Sequence, residues 1–142
     1  MREKVFYEQG SLDKGEGADV QKKTVLVVDD QLDTAITLGL LLKRMGFNVI
    51  TAYDGEDGLR WAEDLDPDAV LLDLGMPGMD GFEVARAIRL SEWGKKVKLI
   101  AVTGRGEPED RSRSQQAGFD LHLVKPVNRS MLIEALGPVE GL

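Results

Sequence analysis

The sequence predicts a doubly wound α/β fold, a parallel sheet with helices packed on both faces. Five short apolar segments alternate with five segments of helical periodicity between residues 24 and 136. The first segment, Thr-Val-Leu-Val-Val at 24–28, is apolar and rich in β-branched residues, which is typical of a strand buried on both faces. Short strands separated by helices indicate a parallel sheet, because each helix carries the chain back to the start of the next strand.

The first half of the chain predicts three strands and two helices. A row of apolar residues at helical spacing indicates a helix that ends just before Gly46, and the row consists of Leu32, Ile36, Leu40 and Met45. The elements predicted in this half are a strand over residues 24–28, a helix over 32–45, a strand over 47–52, a helix over 56–64 and a strand over 69–72.

The second half repeats this alternation. Gly118 follows a stretch of helical length as Gly46 does, and Asn128 is a favoured residue at the N-terminal cap of a last helix. The elements predicted in this half are a helix over residues 81–90, a strand over 97–102, a helix over 108–117, a strand over 119–124 and a helix over 130–136.

Composition divides the chain into a tail and one domain. Residues 1–22 mix acidic and basic side chains, and glycines interrupt any periodicity, which is typical of a flexible tail or linker. Residues 23–142 are expected to form a single domain, long enough to bury a core without disulfides or metal.

Charge and composition exclude several classes of protein. The net charge of −7 argues against a nucleic-acid-binding surface, and the absence of cysteine excludes disulfides and thiolate metal sites. No apolar run approaches the ~18 residues of a membrane-spanning helix, so no membrane insertion is expected. The first ten residues lack the apolar centre of a signal peptide, and we therefore expect a cytoplasmic protein.

Polar residues follow four of the five predicted strands. Three of them are aspartates, namely Asp29, Asp30 and Asp73, and the others are Thr103 and Lys125. In open α/β sheets, ligands bind beyond the carboxyl ends of the strands, so these side chains are expected to share one crevice. Any one of them could simply end its strand, but their joint occurrence on one edge favours a binding site.

The chemistry of these residues suits a divalent cation and a phosphoryl group. Two carboxylates about 4–5 Å apart repel each other by several kcal/mol at an effective dielectric constant near 20. A hard cation with oxygen ligands relieves that repulsion, and Mg²⁺ is the best candidate because it retains waters that a phosphate can replace. A lysine ammonium and a threonine hydroxyl can bind phosphoryl oxygens, and one carboxylate can act as a nucleophile.

Four motifs in order resemble the response-regulator receiver family of two-component signalling. They are Val-Val-Asp-Asp at 27–30, Leu-Asp-Leu-Gly-Met-Pro-Gly-Met-Asp-Gly at 72–81, Val-Thr-Gly at 102–104 and Val-Lys-Pro at 124–126. The spacings agree as well, with 43 residues from Asp30 to Asp73, 30 more to Thr103 and 22 more to Lys125. The resemblance covers about residues 23–138.

The resemblance implies a flavodoxin-like (βα)5 fold with strand order 2-1-3-4-5. It implies that Asp73 is the phosphoacceptor. The implied ligands of Mg²⁺ (or Mn²⁺) are Asp30 directly, Asp29 through water, Asp73, and the backbone carbonyl of Gly75. The remaining implied features are phosphoryl contacts from Thr103 and Lys125 and a cis peptide bond before Pro126.

The resemblance also implies a signalling function. The phosphoryl donor would be a phosphohistidine on a sensor histidine kinase or on a histidine phosphotransfer protein. Phosphorylation would reshape the surface of the fourth helix, the fifth strand and the fifth helix, and so recruit a downstream protein. No enzymatic activity is expected beyond the domain's own phosphorylation and dephosphorylation. The chain is expected to be either a stand-alone regulator or, with a slight preference, a piece of a larger protein such as the C-terminal receiver of a hybrid sensor histidine kinase.

His122 departs from the family pattern. It is the chain's single histidine, and it lies three residues before Lys125, where the family usually carries a tyrosine or phenylalanine that rotates with the switch. One interpretation is that His122 moves inward when Thr103 moves toward the phosphoryl group. The other is a half-exposed strand residue without a role in switching.

Two other classes of protein remain as alternatives. A metal-dependent phosphatase of the haloacid-dehalogenase type would place Asp-x-Asp after the first strand, where this chain has Asp29-Asp30-Gln31. Turnover of a generic phosphate ester would favour that class. A receiver-like binding module that never accepts phosphate is the second alternative, and the complete set of site residues argues against it.

Overall fold

The structure, a computed structural model, describes residues 22–104 and 108–137, without the side chains of residues 108–111. Its strands are β1 (Thr24–Val28), β2 (Asn48–Ala52), β3 (Ala69–Asp73), β4 (Lys98–Thr103) and β5 (Leu121–Val124). Its helices are α1 (Leu32–Arg44), α2 (Gly55–Leu65), α3 (Gly81–Leu90), α4 (Pro108–Ala117) and α5 (Arg129–Leu136). The predicted tail, residues 1–22, lies outside the described residues apart from Lys22.

The five strands form one parallel sheet in the order β2-β1-β3-β4-β5, which confirms the predicted flavodoxin-like architecture. The direction of winding reverses between β1 and β3, which lie next to each other in the sheet. Val28 pairs with Leu72, and Asp73 pairs with Val102, so the carboxyl ends of the three central strands lie level. A crevice at such a reversal is where ligands bind in open α/β sheets.

Each face of the sheet carries its own hydrophobic core. On β1, Val25 and Val27 face the core that α1 and α5 cover, while Leu26 and Val28 face the core that α2, α3 and α4 cover. Strands β1 and β3 are almost wholly buried as a result, as their apolar composition predicts. No helix in the described part of the chain combines the length and the apolarity that crossing a membrane requires.

Helix α1 buries a different face from the one that the apolar row predicts. Most of that row is exposed, with relative exposures of 56% for Leu32, 49% for Ile36 and 53% for Leu40. The residues that α1 buries are Ala35, Leu38, Gly39 and Leu42. Gly39 explains the choice of face, because a Cβ there would lie 3.2 Å from the Thr51 side chain on β2. The helix approaches the sheet where its side chains are smallest, and only Met45 of the predicted row is buried.

Strand β5 begins two residues later than predicted. Gly118 ends α4 with a positive φ of 104°, and the N–H of Phe119 donates to the carbonyl of Ser114 at 2.9 Å. Phe119 is therefore part of the helix-ending turn, and its ring packs edge-on against Phe82 of α3. A turn of 3-10 helix, Glu92–Gly94, was not predicted.

Arg89 at the end of α3 ties together the α3–β4 and α4–β5 loops at the amino end of the sheet. Its guanidinium donates to the carbonyls of Gly94 (3.0 Å), Val97 (2.7 Å) and Gly118 (2.9 Å). It also pairs with the Asp120 carboxylate at 2.9 Å, which in turn accepts from the N–H of Leu99. One planar cation thus satisfies acceptors from both loops.

We expect Arg89→Met to lower the free energy of unfolding by about 2–4 kcal/mol, because several backbone carbonyls and one carboxylate lose their charged donor. Urea titration measures the change. Arg60→Met is the matched control, since Arg60 forms an exposed ion pair with Asp57 on the surface of α2 at 3.0 Å and should contribute less than about 0.5 kcal/mol. Equal losses in the two variants would contradict this account of Arg89.

Candidate functional site

Three aspartates meet at the carboxyl ends of β1 and β3. Asp29 and Asp30 leave β1, Asp73 is the last residue of β3, and each offers a carboxylate oxygen within 4.8 Å of the others. Asp29 and Asp73 are 2% and 8% exposed, whereas Asp30 is exposed at the rim. The structure therefore brings together the three carboxylates that the strand pattern predicts.

Lys125 closes the site from the end of β5. Its ammonium Nζ lies 3.0 Å from Asp29 Oδ2 and 3.8 Å from Asp73 Oδ2. The Lys125 N–H donates to the carbonyl of Thr103 at 2.7 Å, which ties the loop after β5 to the end of β4. The Lys125–Pro126 peptide bond is cis. One cation is thus placed against the two buried carboxylates.

Thr103 ends β4 beside this group and is buried. Its hydroxyl Oγ1 lies 3.2 Å from Nε2 of His122, a hydrogen bond whose direction depends on the tautomer of the imidazole. His122 is half-buried on β5 and pairs in register with Ala101 of β4. Position 122 therefore carries a side chain that is hydrogen-bonded directly to Thr103, which phenylalanine could not be; its role in switching stays a prediction.

Backbone donors fix the orientation of the buried carboxylates. The N–H of Gly75 donates to Asp73 Oδ1 at 3.1 Å, and the N–H of Gln31 donates to Asp29 Oδ1 at 2.9 Å. Each aspartate thus turns one oxygen toward its own loop and leaves the other, Oδ2, toward Lys125. Metal binding by the Gly75 carbonyl stays a prediction.

Residues 25–137 match the family model described as the response regulator receiver domain. The chain belongs to this family. Among curated proteins, this receiver domain is similar to the transcriptional regulatory protein PrrA of Mycobacterium leprae, with 38% identity over 123 residues, 87% of this chain and 51% of that protein. It is also similar to the CAI-1 autoinducer sensor kinase/phosphatase CqsS of Vibrio cholerae, with 33% identity over 92% of this chain and 20% of that protein. The chain thus spans about half the length, or less, of these relatives.

Solved receiver structures share the fold. Chemotaxis protein CheY4 of Vibrio cholerae superposes with a TM-score of 0.78 at 31% identity, covering 83% of this chain and 98% of that one. The receiver domain of sensor histidine kinase PA1611 from Pseudomonas aeruginosa superposes with a TM-score of 0.77 at 32% identity, covering 85% and 99%. The latter structure has a magnesium ion coordinated in its active site cleft.

The electrostatics of the receiver domain's site suit a cation. The pKa of Asp73 is raised from 3.8 to about 6, chiefly by burial and to a smaller extent by the neighbouring Asp29 carboxylate. The Gly75 N–H and the Lys125 ammonium lower the pKa of Asp73 without offsetting the burial. Three clustered carboxylates with one ammonium leave a net negative site, and oxygen donors in this arrangement fit a hard divalent ion.

Two residues near the site were missed by the sequence analysis. Gln31 contacts Lys125 through its side chain, with 3.2 Å between Oε1 and Nζ, and its position directly after Asp30 was the available signal. Gly81 begins α3 so close to β3 that a Cβ would lie 2.6 Å from the Asp73 carbonyl. A side chain at position 81 would therefore clash with the end of β3, which explains the need for glycine there.

We expect Asp73→Asn to stabilise the metal-free domain at neutral pH. Because the folded-state pKa of Asp73 is raised, the stability it contributes is fully present below its ordinary value of 3.8 and is lost as the pH rises through about 6. Asparagine does not ionise, so the variant loses no stability in this pH range. In EDTA its free energy of unfolding should therefore exceed that of the wild type by up to about 3 kcal/mol near about pH 7.5. The difference should be roughly a third as large near about pH 4.5. A gain that is the same at both pH values, measured by urea titration, would refute the electrostatic explanation.

Proposed function

We propose that this receiver domain accepts a phosphoryl group on Asp73 from a phosphohistidine of a partner protein, in a reaction that depends on Mg²⁺ or Mn²⁺. The observation that carries the proposal is the convergence of three carboxylates and one ammonium, in which Asp73 is a buried carboxylate that lies next to both Asp29 and Lys125. Asp73 is held by a backbone N–H on one oxygen, which leaves the other for reaction.

The proposed ligands of the ion are Asp30, Asp29, Asp73 and the backbone carbonyl of Gly75. The clustering of carboxylate oxygens within 4.8 Å supports this assignment, as does the magnesium ion in the cleft of the PA1611 receiver, a relative in fold and sequence. When bound, the ion would neutralise the carboxylates and polarise the phosphoryl group. Mg²⁺ and Mn²⁺ both suit an all-oxygen set of this kind.

Asp73 acts as the nucleophile in the proposed transfer. One carboxylate oxygen forms a bond to phosphorus while the bond from phosphorus to the donor imidazole nitrogen breaks, and that nitrogen retains the electron pair. The carboxylate must be ionised to attack, and the Lys125 ammonium favours the ionised form. Lys125 and Thr103 then bind the oxygens that carry the phosphoryl charge, so the protein contributes positioning and electrostatic stabilisation.

The proposed switch links Thr103 to the α4-β5-α5 surface. Thr103 moves toward the phosphoryl oxygens, and its hydrogen bond to His122 carries the displacement onto β5. A shift of the two-state equilibrium nearly to completion needs about 5 kcal/mol of differential stabilisation. New charge-assisted hydrogen bonds from Lys125 and Thr103 can supply a large part of that difference.

The proposed partners are a sensor histidine kinase or a histidine phosphotransfer protein upstream and an unidentified protein downstream. The similarity of the chain to a sensor kinase/phosphatase, CqsS, and to a transcriptional regulatory protein, PrrA, supports a place in histidine-kinase signalling. We place the receiver domain at residues 23–142 and expect it to work in the cytoplasm as part of a phosphorelay. Such a domain could belong either to a stand-alone regulator or to a hybrid sensor kinase.

We expect incubation with acetyl phosphate and Mg²⁺ to add the mass of one phosphoryl group to the wild-type protein, measured by intact mass spectrometry. Asp73→Asn should gain none, and EDTA should abolish the gain. Asp33→Asn is the matched control, because Asp33 lies in the first turn of α1 outside the three-carboxylate cluster and should leave the gain intact. A phosphoryl group on Asp73→Asn, or none on the wild type, would refute the proposal, and sustained turnover of a simple phosphate ester would favour a phosphatase instead.

We expect His122→Ala to separate phosphorylation from switching. The acceptor carboxylates stay intact, so Asp73 should still be phosphorylated, but Thr103 loses the side chain through which it moves β5. Hydrogen–deuterium exchange of residues 119–128 should therefore respond to phosphorylation in the wild type and respond much less in the variant. Leu121→Ala, on the same strand and partly exposed, is the control and should respond as the wild type does. Equal responses in His122→Ala and the wild type would favour His122 as a bystander.

A further inference from the structure

We propose that Gln31 is a positioning residue for Lys125, and that it sets the rate at which Asp73 is phosphorylated. This inference rests on the proposed function, in which the Lys125 ammonium binds the incoming phosphoryl group. Gln31 belongs neither to the carboxylate cluster nor to the four family motifs quoted above. Its side chain nevertheless contacts the cation on which the transfer depends.

The ammonium of Lys125 is held at two points. Its Nζ lies 3.0 Å from Asp29 Oδ2 and 3.2 Å from Gln31 Oε1, whereas Asp73 Oδ2 is 3.8 Å away, beyond hydrogen-bond distance. An ammonium has three N–H donors on a flexible stem of four carbons. With two donors engaged by Asp29 and Gln31, the third is left to face Asp73 and whatever group Asp73 carries.

Gln31 is itself well placed to serve as an anchor. Its backbone N–H donates to Asp29 Oδ1 at 2.9 Å, so the residue is fixed to the same carboxylate that holds Lys125. The hydroxyl of Thr34, one turn along α1, donates to Gln31 Oε1 at 3.4 Å and steadies the side chain. Asp29, Gln31 and Lys125 thus form a closed ring of contacts between the ends of β1 and β5.

Gln31 lies at the N-cap position of α1, but its side chain does not cap the helix. Gln31 occupies the cap position with extended backbone, φ −87° and ψ 110°, yet its side chain makes no capping hydrogen bond to the backbone of the helix. Serine, threonine, aspartate and asparagine are the residues that cap helices well, and glutamine is too long to do so. Its amide instead reaches across to Lys125.

A neutral amide suits this position better than a carboxylate. Glutamate would bind the ammonium more strongly and would add a fourth negative charge beside Asp29, Asp30 and Asp73, where an anionic phosphoryl donor must approach. The amide oxygen accepts from Lys125 without adding charge. It can therefore hold the ammonium in place and still release it to a phosphoryl oxygen, which is a stronger acceptor.

The test compares Gln31→Met and Gln31→Ser with the wild type. Methionine keeps the length of the side chain but has no acceptor for Nζ. Serine also loses the contact with Lys125 but is a better helix cap, so it should hold or raise the free energy of unfolding. Both variants should be phosphorylated by saturating acetyl phosphate about fivefold to tenfold more slowly, a size typical of one intramolecular hydrogen bond. The Mg²⁺ concentration for half-maximal phosphorylation should change less than about twofold, because the carboxylates are untouched.

The outcomes separate this inference from the proposed function. If the wild type gains no phosphoryl group, the proposed function fails. If the wild type is phosphorylated and Gln31→Ser is stable but slow, the positioning role is supported, since a capping role would leave that variant unimpaired. If Gln31→Ser or Gln31→Met is phosphorylated at the wild-type rate, Gln31 does not position Lys125 and only this inference falls.

Discussion

The mutual repulsion of three carboxylates at the end of the sheet is the constraint on which the rest of the site depends. Asp29, Asp30 and Asp73 offer oxygens within 4.8 Å of one another, and two of them are buried. Water cannot screen such charges, so the protein opposes them with the Lys125 ammonium and with the backbone N–H groups of Gln31 and Gly75. Even with these donors the net charge of the site is negative, and this charge favours binding of a divalent cation.

The parallel sheet holds the site residues in this geometry. Its central strands are covered by helices on both faces and are nearly inaccessible to solvent, so their carboxyl ends are held rigidly. Residues that are far apart in sequence reach one crevice because the strands lie level. The close approach of Gly81 to the Asp73 carbonyl shows how tightly the loop after β3 is packed beneath the site.

Sequence patterns were sufficient for the fold and for the polar residues of the site, because both depend on strand ends. The apolar strands and their terminal Asp, Thr and Lys residues can be read in order along the chain. The buried face of α1 could not be predicted from the sequence, because the helix is apolar on more than one side. The contact of Gly39 with β2 decides which side is buried. Gln31 escaped notice for a similar reason, because its contact with Lys125 spans 94 residues of sequence.

The chain contains a single histidine, and that histidine is hydrogen-bonded to Thr103 at the end of β4, beside the carboxylate cluster. A spectrum that selects imidazole resonances from the native chain would therefore contain the signals of one ring only, with no need for assignment. The position, tautomer and environment of that ring could be followed in the unmodified chain, without an attached dye or an engineered label. The substitution that departs from the family pattern thus provides the domain with a built-in spectroscopic probe.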